Sequence, residues 1–219
     1  RPRFGAGVRT AGIDRANNPA LSAERRAAGA AYSGLDARAA AAEKLARLVG
    51  GPEDPHSLFQ IASNFDQALR SLADSPASAA AQQAAVAAAA SLASHVRNVA
   101  DAYQQVRVEA DREIELSVEA VNSDLKLLGD LNDGIAKATA AGRDASALLD
   151  QRDSALDRIN SIIPIRPLIR ENGRIDVMTQ EGVMLFAGSA RTVEFTGSPI
   201  INAGMTLAGG PLSGLMVDG

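Results

Sequence analysis

Between Pro76 and Gly142 the sequence holds no break strong enough to end a helix, and this stretch limits the possible folds more than any other. Gly129 and Gly134 fall inside it, but a glycine in a helix interior costs only about 1 kcal/mol. The spacing predicts one continuous rod of roughly 100 Å at 1.5 Å rise per residue. Its apolar seam runs Leu92, Val96, Val99, Tyr103, Val106, Ala110, Ile114, Val118, Val121, Leu125, Leu128, Asn132, Ile135. The steps alternate four and three, with a run of fours from Val106 to Val118, which is how heptads carrying a stutter read. Asn132 stands in the seam, where a polar side chain usually fixes register at some cost in stability.

The rest of the first part is helical too. Pro suits the first turn of a helix, where its missing N–H costs nothing, and three prolines follow a side chain able to cap: Asn18-Pro19, Asp54-Pro55 and Ser75-Pro76. The first helix is expected to end at Gly50-Gly51-Pro52, the second before Asp74, and a fourth to run from about Asp144 to about Ile162. After Pro164 the period changes to alternation, in "IRPLIR", "GRIDVMT", "GVMLFAG" and "RTVEFTG". The joining "ENG" and "QEG" are turn sequences, so about four antiparallel strands are expected in a small meander. The fold class is therefore mainly α with a small β part: an elongated helical bundle with one very long helix, then a short antiparallel β meander. The domains expected are a helical bundle over 1–163 and a small β region over 164–219.

Composition narrows the function. Hydrophobic residues make up 46% of the 219, but aromatics only 3%, and Trp is absent. Alanine supplies much of the apolar count, which suits close helix packing better than a substrate cleft walled by large groups. The net charge of -4 and the lack of a basic cluster with aromatics argue against nucleic acid. With no cysteine there are no disulfides, thiolate nucleophiles or Cys metal sites. No run of eighteen strongly apolar residues predicts a membrane span, and no signal-like start is present. The opening at Arg1 and the ending "GLMVDG" suggest a fragment.

The densest cluster of charge is "LLDQRDSALDRI", Leu148 to Ile159. At 100° per residue Leu148, Leu149, Ala155, Leu156, Ile159 and Ile163 share one side, and Asp150, Asp153 and Asp157 the other. Arg152 falls within the apolar stripe, so its guanidinium must reach a carboxylate or carbonyls across the packed interface. A metal site would need convergent oxygen ligands and an acidic loop with a sharp Gly turn, and neither is present. The acidic face is expected to be solvated or to face another subunit. His56 and His95 have no partner at metal spacing, "GAGVRTAG" lacks dinucleotide-loop spacing, and no serine sits in a G-x-S-x-G elbow. No catalytic residue, cofactor or metal is expected. The alanine tract "ASAAAQQAAVAAAASLA" lacks the bulky apolar and basic faces of a lipid-active helix.

In order along the chain, these segments resemble the flagellar hook-associated protein 1 family, the hook–filament junction proteins of bacteria. "GAGVRTAGIDRANNPALSAERRAAGAAYSGL" looks like the segment after that family's N-terminal export region, and "LADSPASAAAQQAAVAAAASLASHV" like its Pro-initiated long helix, with Gln82 where an Arg is usual. "VEAVNSDLKLLGDLNDGI" is similar to its Val-x-x-Ile-Asn then Ile-x-x-Leu-Asn pattern, with Val121 and Leu128 replacing isoleucines. "LLDQRDSALDRINSIIPI" resembles its Leu-x-Asp-x-Arg-Asp signature, and "NGRIDVMTQEGVMLFAGSARTVEF" occupies the place of its first β elements.

The resemblance implies a secreted structural subunit, exported by the flagellar type III route. It further implies a ring between hook protein and the second junction protein, self-association when full length, and an export chaperone that binds the C-terminal region. Arg152, Asp150, Asp153 and Asn132 are then architectural. The family's terminal helices are missing from this sequence, so the chain is expected to be monomeric and any outer domain reduced. Competing readings are another axial protein, flagellin or the second junction protein, and a ligand-sensing helical module outside the membrane. An enzyme has the least support.

Overall fold

The computed structural model describes residues 18–198, 200–208 and 210–218. Four helices come first: α1 Pro19–Val49, α2 Leu58–Asp74, α3 Ala79–Ala140 and α4 Ser146–Ile162. Five strands follow: β1 Ile165–Ile169, β2 Ile175–Thr179, β3 Met184–Phe186, β4 Val193–Glu194 and β5 Met216–Val217. The fold is mainly α with a small antiparallel β meander, and α3, at 62 residues, is its longest element.

Asn18 caps α1 as expected, its Oδ1 accepting from the amides of Ala20 at 3.1 Å and Leu21 at 3.2 Å. The next two starts lie three residues beyond the expected ones, for a shared reason. In Asp54-Pro55-His56-Ser57 and in Ser75-Pro76-Ala77-Ser78, the last amide bonds to the first carbonyl at 3.0 Å. Pro therefore takes the second place of a β-turn, where its fixed φ is equally suitable. The serine two residues on becomes the cap, Ser57 accepting from Gln60 N at 3.2 Å and Ser78 from Ala81 N at 3.3 Å. At the far end of α3, Gly142 has φ +63°, and the Arg143 amide returns to the Ala138 carbonyl at 2.9 Å. That left-handed residue is what stops a helix that no proline ends.

Gly129 and Gly134 remain inside α3, and each makes room for a neighbour. A Cβ at Gly129 would meet the Phe186 ring at 3.6 Å, and one at Gly134 would meet Leu148 at 3.3 Å. The helix-propensity cost is thus tied to the close approach of β3 and α4.

β1, β2 and β3 form an antiparallel meander, in register from Ile165↔Thr179 to Ile169↔Ile175, with an irregularity between Val177 and Met178 on the β3 side. The expected fourth strand does not join it. β4 pairs instead with β5, Val193 opposite Val217, in a separate two-stranded sheet. Only two residues of "RTVEF" are strand, too few for alternation to reveal the partner.

By contacts the chain divides into two compact units. The first comprises the described residues up to Gly34, Ser117–Glu194, and the described residues from Leu215. Its core combines Val121, Leu125 and Leu128 of α3 with Leu156 and Ile159 of α4 and Val177, Leu185 and Phe186 of the sheet, all buried. The second comprises Leu35–Leu116 and the described part of Phe195–Gly214. There Ala85 and Ile201 are buried, while Val96, Tyr103, Val108 and Ile114 of α3 are exposed.

Candidate functional site

Three asparagines bind the elements of the first unit to one another by the same device. Each uses its side-chain amide as a peptide group uses N–H and C=O, bonding backbone through both ends. Asn132, buried in the α3 seam, donates to the Ile175 carbonyl at 2.8 Å and accepts from the Ile175 amide at 3.2 Å. Ten residues earlier, Asn122 does the same with Val193, at 2.8 and 2.9 Å. Asn160 of α4 donates to the Arg26 carbonyl at 2.7 Å and accepts from the Ile165 amide at 3.3 Å. Strand ends next to helices have backbone groups with no ladder partner, and burying them unpaired costs about 1–3 kcal/mol each. The asparagines supply those partners and fix where β2, β4 and α1 sit.

Asn132 is the polar seam residue singled out from sequence, and its register is that of β2. Asn122 ends the "VEAVN" segment and Asn160 follows Ile159, both beside core positions. Each adjoins an apolar residue that is fully buried, and Asn122, like Asn132, also closes a step of the Val-x-x-Ile-Asn then Ile-x-x-Leu-Asn pattern to which "VEAVNSDLKLLGDLNDGI" is similar.

The charged cluster on α4 is divided among several partners. Arg152 is half-buried and donates to the Gly173 carbonyl, so its inward guanidinium reaches a carbonyl in the turn between β1 and β2. Asp150 is exposed. The solvated or subunit-facing acidic strip expected from sequence does not hold for Asp153 and Asp157, because α1 covers them. Arg25 donates to both Asp157 oxygens at 2.9 and 2.6 Å. Arg26, only 9% exposed, donates through Nε to Asp157 at 3.1 Å and through Nη2 to Asp153 at 3.2 Å. Arg26 is also the residue whose carbonyl Asn160 holds, so side chain and backbone of one position both anchor α1. On the other side of α4, Arg158 grips Asp124 of α3 through Nε and Nη2. Hydrogen bonding to Asp124 is the main cause that raises the Arg158 pKa.

In the second unit, Arg107 and Asp111 of α3 hold the segment after β4. Arg107 donates to the carbonyls of Asn202 at 2.8 Å and of Met205, and Asp111 accepts from the Ser198 amide at 2.9 Å. Between that segment and Val96, Val99 and Tyr103 lies an open apolar groove of about 700 Å³.

Among the described residues no three His, Asp or Glu side chains converge as a metal group. His56 is exposed and His95 half-buried on α3. Among the described residues no helix is long and apolar enough to cross a membrane. The "GAGVRTAG" segment lies outside the described residues.

The family model of the flagellar hook-associated protein FlgK helical domain matches residues 42–211. The chain belongs to the FlgK helical-domain family. Flagellar hook-associated protein 1 of Escherichia coli is 27% identical over 187 residues, covering 84% of this chain and 34% of that protein. Its Bacillus subtilis counterpart is 22% identical over 182 residues, covering 83% and 36%. Among solved structures, the flagellar hook junction protein FlgK from Burkholderia pseudomallei superposes with a TM-score of 0.70 at 25% identity, over 81% of this chain and 31% of that one. The chain thus spans about a third of the length of the curated relatives it matches.

Proposed function

We propose that this chain is the helical-domain part of a structural, non-enzymatic subunit of the bacterial flagellum, placed outside the cell at the junction between hook and filament. The observation that carries the reading is the family match over 42–211, in a chain whose polar clusters all bond backbone or each other. The whole protein's partners follow as part of the same proposal: hook protein on one side, the second junction protein on the other, like copies around a ring, and a chaperone during type III export. In this reading the domain over 1–163 supplies the helical frame and the small β region over 164–219 is packed into its core through Val177, Leu185 and Phe186. Arg152, Asp150, Asp153 and Asn132 serve that frame. The groove beside Val99 is mainly apolar, and its one charged lining residue, Arg107, is already bonded to the Asn202 and Met205 carbonyls, which does not favour a ligand sensor.

The test is deletion of the gene in the bacterium that carries it. Hooks without filaments, with unpolymerised flagellin in the medium, are the expected result, reversed by the wild-type gene. Filaments of normal length and number would reject the junction role.

A further inference from the structure

The part of α1 that belongs to the first unit, up to Gly34, brings that unit almost nothing apolar. Of residues 20–34 only Arg26 is buried. Ser22, Ala30 and Ser33, half-buried on the same face of the helix, carry no large side chain. The large hydrophobic residues of the segment, Leu21 and Tyr32, are exposed. What holds the segment to α4 is polar: Arg25 and Arg26 on Asp157, Arg26 on Asp153, and the Asn160 amide on the Arg26 carbonyl. Beside these bonds a gap of about 90 Å³ remains between the two helices, lined in part by Gly29, Ser33 and Ser161. A Cβ at Gly29 would meet nothing within 4 Å, so this glycine weakens the helix without making room for a neighbour, unlike Gly129 and Gly134 of α3.

We propose that residues 19–34 are a releasable strap, which opens from α4 and recloses while the core of the first unit stays folded, with ionic strength setting the balance. A helix this short is marginal on its own in water, and ordering its backbone is opposed by conformational entropy. Hydrophobic burial, the usual compensation, is missing here. The Arg–Asp bonds that remain are partly open to water and are weakened by salt. Opening strands no charge, because Asp153 and Asp157 are 27% and 34% accessible even when the strap is closed. It also leaves the core its own partners: Val121, Leu125 and Leu128 of α3 meet Leu156, Ile159, Val177, Leu185 and Phe186, all within 117–194. Asn160 keeps its bond from the Ile165 amide, so the start of β1 is held in either state. Closed, the strap screens the acidic face of α4; open, it bares two carboxylates and an amide. The inference stands on contacts within the first unit and does not depend on the junction reading.

Amide hydrogen exchange of the whole chain at low and high salt tests it. Residues 23–33 are expected to exchange at least about a hundredfold faster than 121–135 of α3. Raising salt to about 1 M should speed 23–33 several-fold and leave 121–135 unchanged. Arg26→Ala should speed 23–33 about tenfold, again without effect on 121–135, and should abolish the salt response. Gly29→Ala, which adds a methyl group in open space, should slow 23–33 about fivefold by favouring the closed helix. Exchange of 23–33 as slow as that of 121–135, indifference of 23–33 to salt, equal acceleration of both regions by Arg26→Ala, or no slowing by Gly29→Ala would each overturn the proposal.

Discussion

The two halves of α3 carry one seam with one spacing, yet they end in opposite environments. From Val118 onward the positions named by periodicity are buried: Val121, Leu125 and Leu128 are fully inaccessible. Upstream, Val96 is 47% and Ile114 41% exposed, and the seam is walled in part only by the segment that Arg107 and Asp111 hold. The difference lies in what the rest of the chain supplies. The downstream half meets α4 and the sheet, with asparagines and glycines shaped to receive them; the upstream half is tied to α1 through Lys44 and Glu109 and to the segment after β4 through Arg107 and Asp111. A hydrophobic period thus identifies the face of a helix that wants a partner without saying whether this chain provides one.

The sharpest way to break that comparison is to truncate the same seam on both sides. Leu125→Ala removes a fully buried side chain between α3 and its neighbours and is expected to cost about 2–5 kcal/mol. Ile114→Ala, at a position already reached by water, is expected to cost about 1 kcal/mol or less. Thermal denaturation of the two variants measures the gap. Equal costs would mean that the upstream seam is as closed as the downstream one. Amide hydrogen exchange adds a readout along the helix, with residues 79–116 expected to exchange faster than 117–140.

The second largest effect is expected at Asn132. Asn132→Leu keeps the branched shape, with somewhat greater bulk, but strands the N–H and C=O of Ile175, both in buried surroundings. A loss of about 2–4 kcal/mol follows from two unpaired backbone groups. Asn122→Leu, which leaves the groups of Val193 unpaired where the amide itself is only part-buried, should cost less. If Asn132→Leu were neutral or stabilising, the amide would be a cost borne by the seam and β2 would be placed by packing alone.

The asparagines also mark how far the sequence could be read. Helix count, the ends at Gly50 and Gly142 and the change of period at Pro164 were legible, because each depends on local chemistry: left-handed glycine, missing N–H, alternation. Asn132 was legible because a polar residue interrupts an apolar period. The starts of α2 and α3 were misplaced by three residues, because Pro fits a β-turn and a first helical turn equally well, and only the serine hydroxyl bonds decide between them. The partners of Asp153 and Asp157 were not legible at all. Arg25 and Arg26 lie about 130 residues away in sequence, and a run of aspartates on one helix face looks the same whether it meets water or a docked helix. The β4–β5 pair escaped for the same reason, since two residues cannot show a period and their partner lies more than twenty positions on.

A smaller effect is expected where α1 meets α4. Arg26→Ala removes bonds to two carboxylates from a nearly buried guanidinium, but Asp153 and Asp157 remain 27% and 34% accessible, so water compensates part of the loss. Destabilisation of about 1–2 kcal/mol is expected. The wild-type chain should lose part of this contribution in concentrated salt and the variant should not, since screening acts on the pair only while it exists. Arg26→Lys is not expected to rescue, because a single ammonium cannot span both carboxylates as Nε and Nη2 do. Full rescue would reduce the contact to net charge and weaken the contrast between a tailored first unit and an open second one.

The smallest effect is local and depends on pH. Asp144 stands two residues before α4, where its carboxylate accepts from the Ser146 hydroxyl at 2.6 Å and the Ser146 amide at 2.8 Å. The hydroxyl bond first, and the amide bond second, hold its pKa below the ordinary 3.8. A carboxyl whose folded pKa is depressed contributes stability that is fully present above 3.8 and disappears as pH falls through the lower folded value. Protonation removes one acceptor from the first turn of α4 and a negative charge from its N-terminus, without reaching the core built from Leu156 and Ile159. The amide resonance of Ser146 should therefore titrate with a midpoint below 3.8, while Asp144→Asn abolishes that titration. A midpoint at or above the ordinary value would mean that the Ser146 bonds do not persist in solution. The start of α4 would then be set by packing of its apolar face, as it is for the downstream half of α3.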